Sequence, residues 1–143
     1  MSTTTSLPSL PQITVRKVIR TPIITELGNI QDFQQLLTTN KGLIILKFGA
    51  DWCGPCKAIQ PLVDEWYNKF TTNPNIQCGL INIDDHIDIY GFLKTKKRVN
   101  GIPAIMCYYK GNTSYISDDT VLGSNPKEVQ AFFIRCVQQL ANM

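Results

Sequence analysis

Residues 46–57 read LKFGADWCGPCK, and within them Cys53 and Cys56 are the side chains best suited by type and spacing to do chemistry. They lie three residues apart, where an apolar run passes into a helical pattern. In a first helical turn such residues share a face with Cα atoms about 5–6 Å apart, inside the range a disulfide needs. The pair can therefore open and close with little backbone movement. Cys53 falls at the helix N-terminus, where unpaired N–H groups and the macrodipole favour negative charge, and this supplies an attacking thiolate. Gly54 and Pro55 start the helix and limit its freedom, and Trp52 is expected to form an apolar wall beside the sulfurs.

Two other uses of a CxxC pair fit less well. Structural zinc takes about four ligands, normally two such pairs or one pair with histidines. Here Cys78, Cys107 and Cys136 are isolated and His86 is the only histidine, so no metal site is expected. A purely structural disulfide closing so short a loop constrains the unfolded chain little. The three isolated cysteines read as small buried hydrophobes, and His86 as a surface residue of a helix.

The elements that must hold the pair are read from periodicity. GLIILKF (42–48) is a near-continuous apolar run, the pattern of a central strand covered on both faces. Residues 53–70 carry a helical stripe of Ile59, Leu62, Val63, Trp66 and Phe70, with Pro61 expected to kink the helix. Upstream, 12–19 alternate like an edge strand, PIITEL (22–27) is a second short strand candidate, and Asn29 opens a helix with Ile30, Phe33, Leu36 and Leu37 inward. A glycine stop is expected for that helix near 40–42. Downstream come a strand at 76–83, a helix over 84–98, and an antiparallel hairpin of 102–109 and 113–122 around the turn at 110–112. The last helix is capped by Asn125 and Pro126, with Val129, Phe133, Cys136, Val137 and Leu140 inward. This order gives an α/β fold, a central mixed sheet with helices on both faces.

The chain has 143 residues, 43% hydrophobic and 17% charged, which fits one domain with a real core. We divide it into an N-terminal extension, 1–20, and a domain over 21–143. A net charge of +3 gives no argument for nucleic acid, and no apolar run approaches the ~20 residues of a membrane span. Five cysteines without regular spacing point to a reducing compartment, the cytoplasm. The Ser/Thr/Pro-rich start, free of acidic residues up to Glu26, is either a flexible tail or an organelle transit segment.

WCGPCK (52–57) matches the active-site motif of the thioredoxin family in full. Phe33, Pro61, INID (81–84), GIPA (101–104), the Lys-Gly turn at 110–111 and Gly123 fall in register with it. The sequence therefore resembles a thioredoxin over residues 22–141. The resemblance implies that Cys53 attacks a substrate disulfide and that Cys56 resolves the mixed disulfide. Trp52, Gly54, Pro55 and Lys57 would support the pair. Pro103 would be a cis-proline facing it, with the Ile102 backbone and Gly123 lining a groove for an extended substrate segment. The implied partners are disulfide-containing proteins and a thioredoxin reductase as electron donor, with no bound cofactor and a monomeric chain. The alternatives are a docking subunit of another enzyme that keeps the fold, and a more oxidising, isomerase-like protein.

The sequence departs from the family pattern at Lys47, where a buried aspartate is usual, and at Leu80, where its lysine partner is usual. Segment 85–100 and the 111–122 hairpin are also longer than typical. Two readings of Lys47 stand: its stem packs while the ammonium reaches water, or a partly buried ammonium near Cys56 favours that thiolate. The run KTKKR (94–98) is either a solvated helix end or a docking patch for an acidic partner.

Overall fold

A computed structural model describes residues 19–96 and 98–143. The tail, the strand expected at 12–19 except its last residue, and Lys97 of the basic run lie outside the described residues. The elements are α1 (Ile30–Thr38), β1 (Leu43–Gly49), α2 (Gly54–Phe70), β2 (Ile76–Asn82), a 3₁₀ turn (Ile83–Asp85), α3 (Ile87–Thr95), β3 (Ala104–Tyr109), β4 (Asp119–Leu122) and α4 (Pro126–Ala141). The strands form one sheet in the order β2-β1-β3-β4. β1 runs parallel to β2 and antiparallel to β3, and β4 is antiparallel to β3. This is the mixed sheet expected from the element order.

Successive side chains of a strand point to opposite faces, and β1 uses both. Leu43 and Ile45 join Ile59, Val63, Tyr67 and Phe70 of α2 and Phe132 and Phe133 of α4 in one core. Ile44, Leu46 and Phe48 join Phe33 and Leu37 of α1 and Ile89 and Leu93 of α3 in the other. Every β1 residue is buried, as a strand covered on both sides must be. Lys47 lies on the α2 face by the same parity.

Several sequence expectations are corrected. PIITEL contributes a single bridge, Ile24 to Gly79, closed by the Ile24 N–H on the Cys78 carbonyl and the Leu80 N–H on that of Ile24. A Cβ at Gly79 would meet Leu46 Cδ2 at 2.6 Å and the Ile24 carbonyl oxygen at 3.2 Å, so glycine lets the two segments come this close without a shift. α1 opens on the Asn29–Asp32 capping box, but its stop comes from no left-handed glycine. Asn40 instead spans from the Gly42 N–H to the Tyr108 carbonyl.

β4 holds only four residues, because 110–118 form a loop in which Asp118 accepts from the Tyr109 N–H and the Asn112 amide. On α4 the inward residues include Phe132, whereas Val137 is 42% exposed. The helix over 84–98 shortens to α3, so the basic run splits between its last turn and the chain beyond. His86 is buried rather than on the surface: its Nε2 accepts the Leu27 N–H (3.1 Å) and its Nδ1–H donates to the Asn82 carbonyl (2.8 Å). A ring bonded on both sides replaces backbone partners that the bridge-only N-terminal segment lacks.

Candidate active site

The pair sits where β1 delivers the chain to α2. Cys53 is the N-cap of α2 in extended backbone conformation, and Pro55 occupies its first turn. Cys53 and Cys56 are joined by a disulfide with Cα atoms 5.3 Å apart, as the spacing predicts. The Cys56 N–H donates to Cys53 Sγ at 3.2 Å, in the place where a capping side chain accepts from a helix start. Both cysteines are nearly covered, at 5% and 3% exposure.

Ala50, Ile83 and Ile102 pack against the sulfurs. The wall expected of Trp52 is therefore supplied by them, while Trp52 is 67% exposed and its indole N–H donates to Asp84 at 2.9 Å. The Asp84 N–H donates to the Asn82 side chain, and the Asn82 carbonyl accepts from His86. Sequence reading missed this chain of contacts. Its one visible signal was the Asn-x-Asp spacing at 82–84, a side-chain turn motif.

The Ile102–Pro103 peptide bond is cis. The Pro103 carbonyl accepts from the Gly123 N–H at 2.8 Å, and Gly123 holds φ +85°, a conformation that favours glycine. The structure thus gathers Cys53, Cys56, Ile102, Pro103 and Gly123 at one end of the sheet. Gly54 opens α2, and nothing lies within 4 Å of the place a Cβ on it would occupy. Lys57 continues α2 and lines a cleft beside Cys56.

That cleft, of about 310 Å³, is also lined by Lys47, Gly49, Gln60 and Leu80. Lys47 is only 5% exposed. Its ammonium donates to the Cys56 carbonyl (3.1 Å) and to Gln60 Oε1. Burial pulls its pKa below the ordinary lysine value, and the Asp64 carboxylate partly opposes this. Lys47 and Leu80 are cross-strand partners in β1 and β2, so the two departures from the family pattern meet side by side. Among the described residues no group of acidic, cysteine and histidine side chains could hold a metal ion.

A cysteine pair capping a helix beside a cis-proline, on a mixed sheet with helices on both faces, defines a protein of the thioredoxin fold with a dithiol/disulfide pair at its strand-to-helix junction. The thioredoxin family profile matches residues 25–135, and the chain belongs to that family. It is 32% identical to thioredoxin-2 of Pyricularia oryzae over 76% of this chain and 56% of that one. It is 27% identical to thioredoxin of Coprinus comatus over 76% of this chain and 93% of that one. The chain therefore spans just over half of the first relative and nearly all of the second. The oxidised crystal structure of mitochondrial thioredoxin 3 from Saccharomyces cerevisiae superposes with a TM-score of 0.61 at 25% identity, covering 78% of this chain and 94% of that one.

Proposed function

We propose that this chain reduces disulfides in other proteins, cycling Cys53 and Cys56 between dithiol and disulfide. The observation that carries the reading is the position of Cys53 as the α2 N-cap, with the Cys56 N–H aimed at its sulfur. In the reduced protein that N–H and the helix terminus stabilise a Cys53 thiolate. The thiolate attacks one sulfur of a substrate disulfide and releases the other as a thiolate. Cys56, having given its proton to solvent, attacks Cys53 Sγ and releases the second substrate thiolate. Two thiols are oxidised, one substrate disulfide is reduced, and solvent protons complete the products. No bound cofactor takes part, and a separate reductase, of the thioredoxin reductase class, restores the dithiol.

The substrate would bind beside the start of β3. Among the described residues neither polar group of the Ile102 backbone has a hydrogen-bond partner, so an extended substrate segment can pair there as an added strand. Pro103 and Gly123 line that edge, and the exposed Trp52 indole flanks it. Gly54, Pro55 and Lys57 are exposed in the first turns of α2 and complete the site. We assign a monomer in a reducing compartment, the cytoplasm. Among the described residues no helix is long and apolar enough to cross a membrane. Imaging the tagged full chain in cells distinguishes cytoplasm from an organelle.

The test is insulin reduction with dithiothreitol or a reductase as donor. Wild type should turn over, Cys53→Ser should not, and Cys56→Ser should accumulate a mixed disulfide with substrate. Equal rates for wild type and Cys53→Ser would reject the function.

A further inference from the structure

The second half of the reaction needs Cys56 to lose a proton while it is almost completely covered, and burial in apolar surroundings opposes a thiolate. The structure brings Lys47 and Lys57 to the cleft beside Cys56, and the arm of Lys47 is the one that shares a space with the sulfur. A Cβ built on Gly49 would lie 3.4 Å from Cys56 Sγ and 3.9 Å from Lys47 Cε. The sulfur and the lysine arm therefore face the same small space, which Gly49 leaves empty. The Lys47 ammonium does not swing free there. It is held by the Cys56 carbonyl and by Gln60 Oε1, and Gln60 Nε2 in turn donates to Asp64 Oδ1 at 2.6 Å. Gln60 thus fixes the ammonium from one side and draws on a surface carboxylate from the other.

We propose that Lys47, held by Gln60 against the Cys56 carbonyl, is the positioning residue that governs when Cys56 yields its proton to resolve the mixed disulfide. The proposal rests on the disulfide-reductase reading and adds to it a specific control of the resolving step. Lys47 touches no substrate; it acts through the charge it presents to Cys56. While charged it favours the Cys56 thiolate, and the proton leaves through the cleft to solvent. By the same interaction a Cys56 thiolate holds the proton on Lys47, because coupling between two sites is reciprocal.

The other groups facing the ammonium are few. The loop and α2 bring Asp51 and Lys57 to the cleft and Asp64 behind Gln60, with Tyr67 further along the same helix. β2 and β3 present Leu80 and Ile105 across from Lys47, and their nearest titratable groups on this face are the buried thiols of Cys78 and Cys107. No carboxylate from β2 or β3 faces Lys47; Asp64 acts on it from behind Gln60, while the Cys56 sulfur faces the same space as its arm.

The test uses the full chain with Cys53→Ser, so that Cys56 is the only thiol at the site. The pH profile of its iodoacetamide alkylation should move up by about one unit or more in Cys53→Ser/Lys47→Met, the size of effect an opposite charge within a few ångströms exerts. A profile that stays in place overturns the proposal. Should the methionine variant fail to fold, the reciprocal measurement decides with Lys47 intact. The Lys47 Cε signal, followed by NMR, should titrate at higher pH in Cys53→Ser than in Cys53→Ser/Cys56→Ser, and equal midpoints overturn the proposal. Insulin reduction by wild type separates the two ideas. Turnover without coupling rejects the role of Lys47 alone, and coupling without turnover rejects the reductase reading alone.

Discussion

Raising the pH above 9 should destabilise this protein steeply, and the reason lies in the core under α2 and α4. Cys78 of β2 and Cys107 of β3 flank Ile45 of β1 on one face, both fully buried. Cys136 beside it, with burial, pushes the Cys107 thiol far up, and burial together with nearby Cys136 pushes Cys78 up. Burial does the same to the phenols of Tyr67 and Tyr108, helped in Tyr67 by Cys78 and in Tyr108 by Asp118. In the unfolded chain the thiols ionise near 9.0 and the phenols near 10.0. Between those values and the folded ones the unfolded state holds fewer protons, so stability falls as pH rises. Their contribution is complete below about pH 8 and is lost progressively as pH rises, past 9 for the thiols and past 10 for the phenols.

The size follows from 1.36 kcal/mol per pH unit per group. From pH 7 to pH 10 the two thiols together remove about 3 kcal/mol and the two phenols about 1 kcal/mol more. Lys47 acts in the opposite sense. Its folded pKa is depressed, so the unfolded chain holds more protons and stability rises as pH climbs between the folded and ordinary lysine values. The assay is guanidinium unfolding at pH 7, 9 and 10, in Cys53→Ser/Cys56→Ser with reductant present so that no disulfide exchanges. Adding Cys78→Ala and Cys107→Ala should lower stability at pH 7 yet leave a loss from pH 7 to 10 of only about 1 kcal/mol. The reasoning is refuted if the parent is flat over this range, or if removing both thiols leaves its slope unchanged.

Phe133 packs against Trp66, Tyr67, Phe70 and Phe132, with ring centroids 5.3–6.2 Å away; Phe133→Ala should cost about 3–5 kcal/mol in denaturant unfolding. His86→Ala leaves the Leu27 N–H and the Asn82 carbonyl without their side-chain partner and should cost about 2–4 kcal/mol, whereas an exposed substitution at Lys94 should cost nothing measurable. In native protein Cys78, Cys107 and Cys136 should resist iodoacetamide and react only after guanidinium is added, as counted by mass spectrometry.

Much of the fold was legible because each element carried its own period or cap. β1 announced itself as an apolar run, α2 and α4 by their stripes, and α1 and α4 by asparagine caps that the structure confirms. What failed was whatever depended on a partner distant in sequence. PIITEL has strand composition, but Gly79 lets it approach at one point only. Residues 113–118 look like strand until Asp118 and Asn112 turn them into a loop. On α4, Phe132 and Val137 both fit a helical stripe within one residue's rotation, and only the packing against α2 and the sheet decides between them.

Lys47 shows the same limit at the site itself. Its parity along β1 follows from the sequence: with Leu43 and Ile45 it must share a face opposite Ile44, Leu46 and Phe48. Which helix covers that face does not follow, and the two readings of the ammonium differ on that point alone. Had α1 and α3 lain over it, the arm would have been an unpaired charge in a dry core, or would have reached past them to water. Because α2 covers it, the arm meets the Cys56 carbonyl and Gln60 and faces the same space as the Cys56 sulfur, within one turn and a half of helix. A buried charge persists where hydrogen bonds offset its desolvation, and here the groups that offset it belong to the redox helix. The residue that departs most from the family pattern is therefore tied by its own stabilising contacts to the residue whose chemistry it would alter.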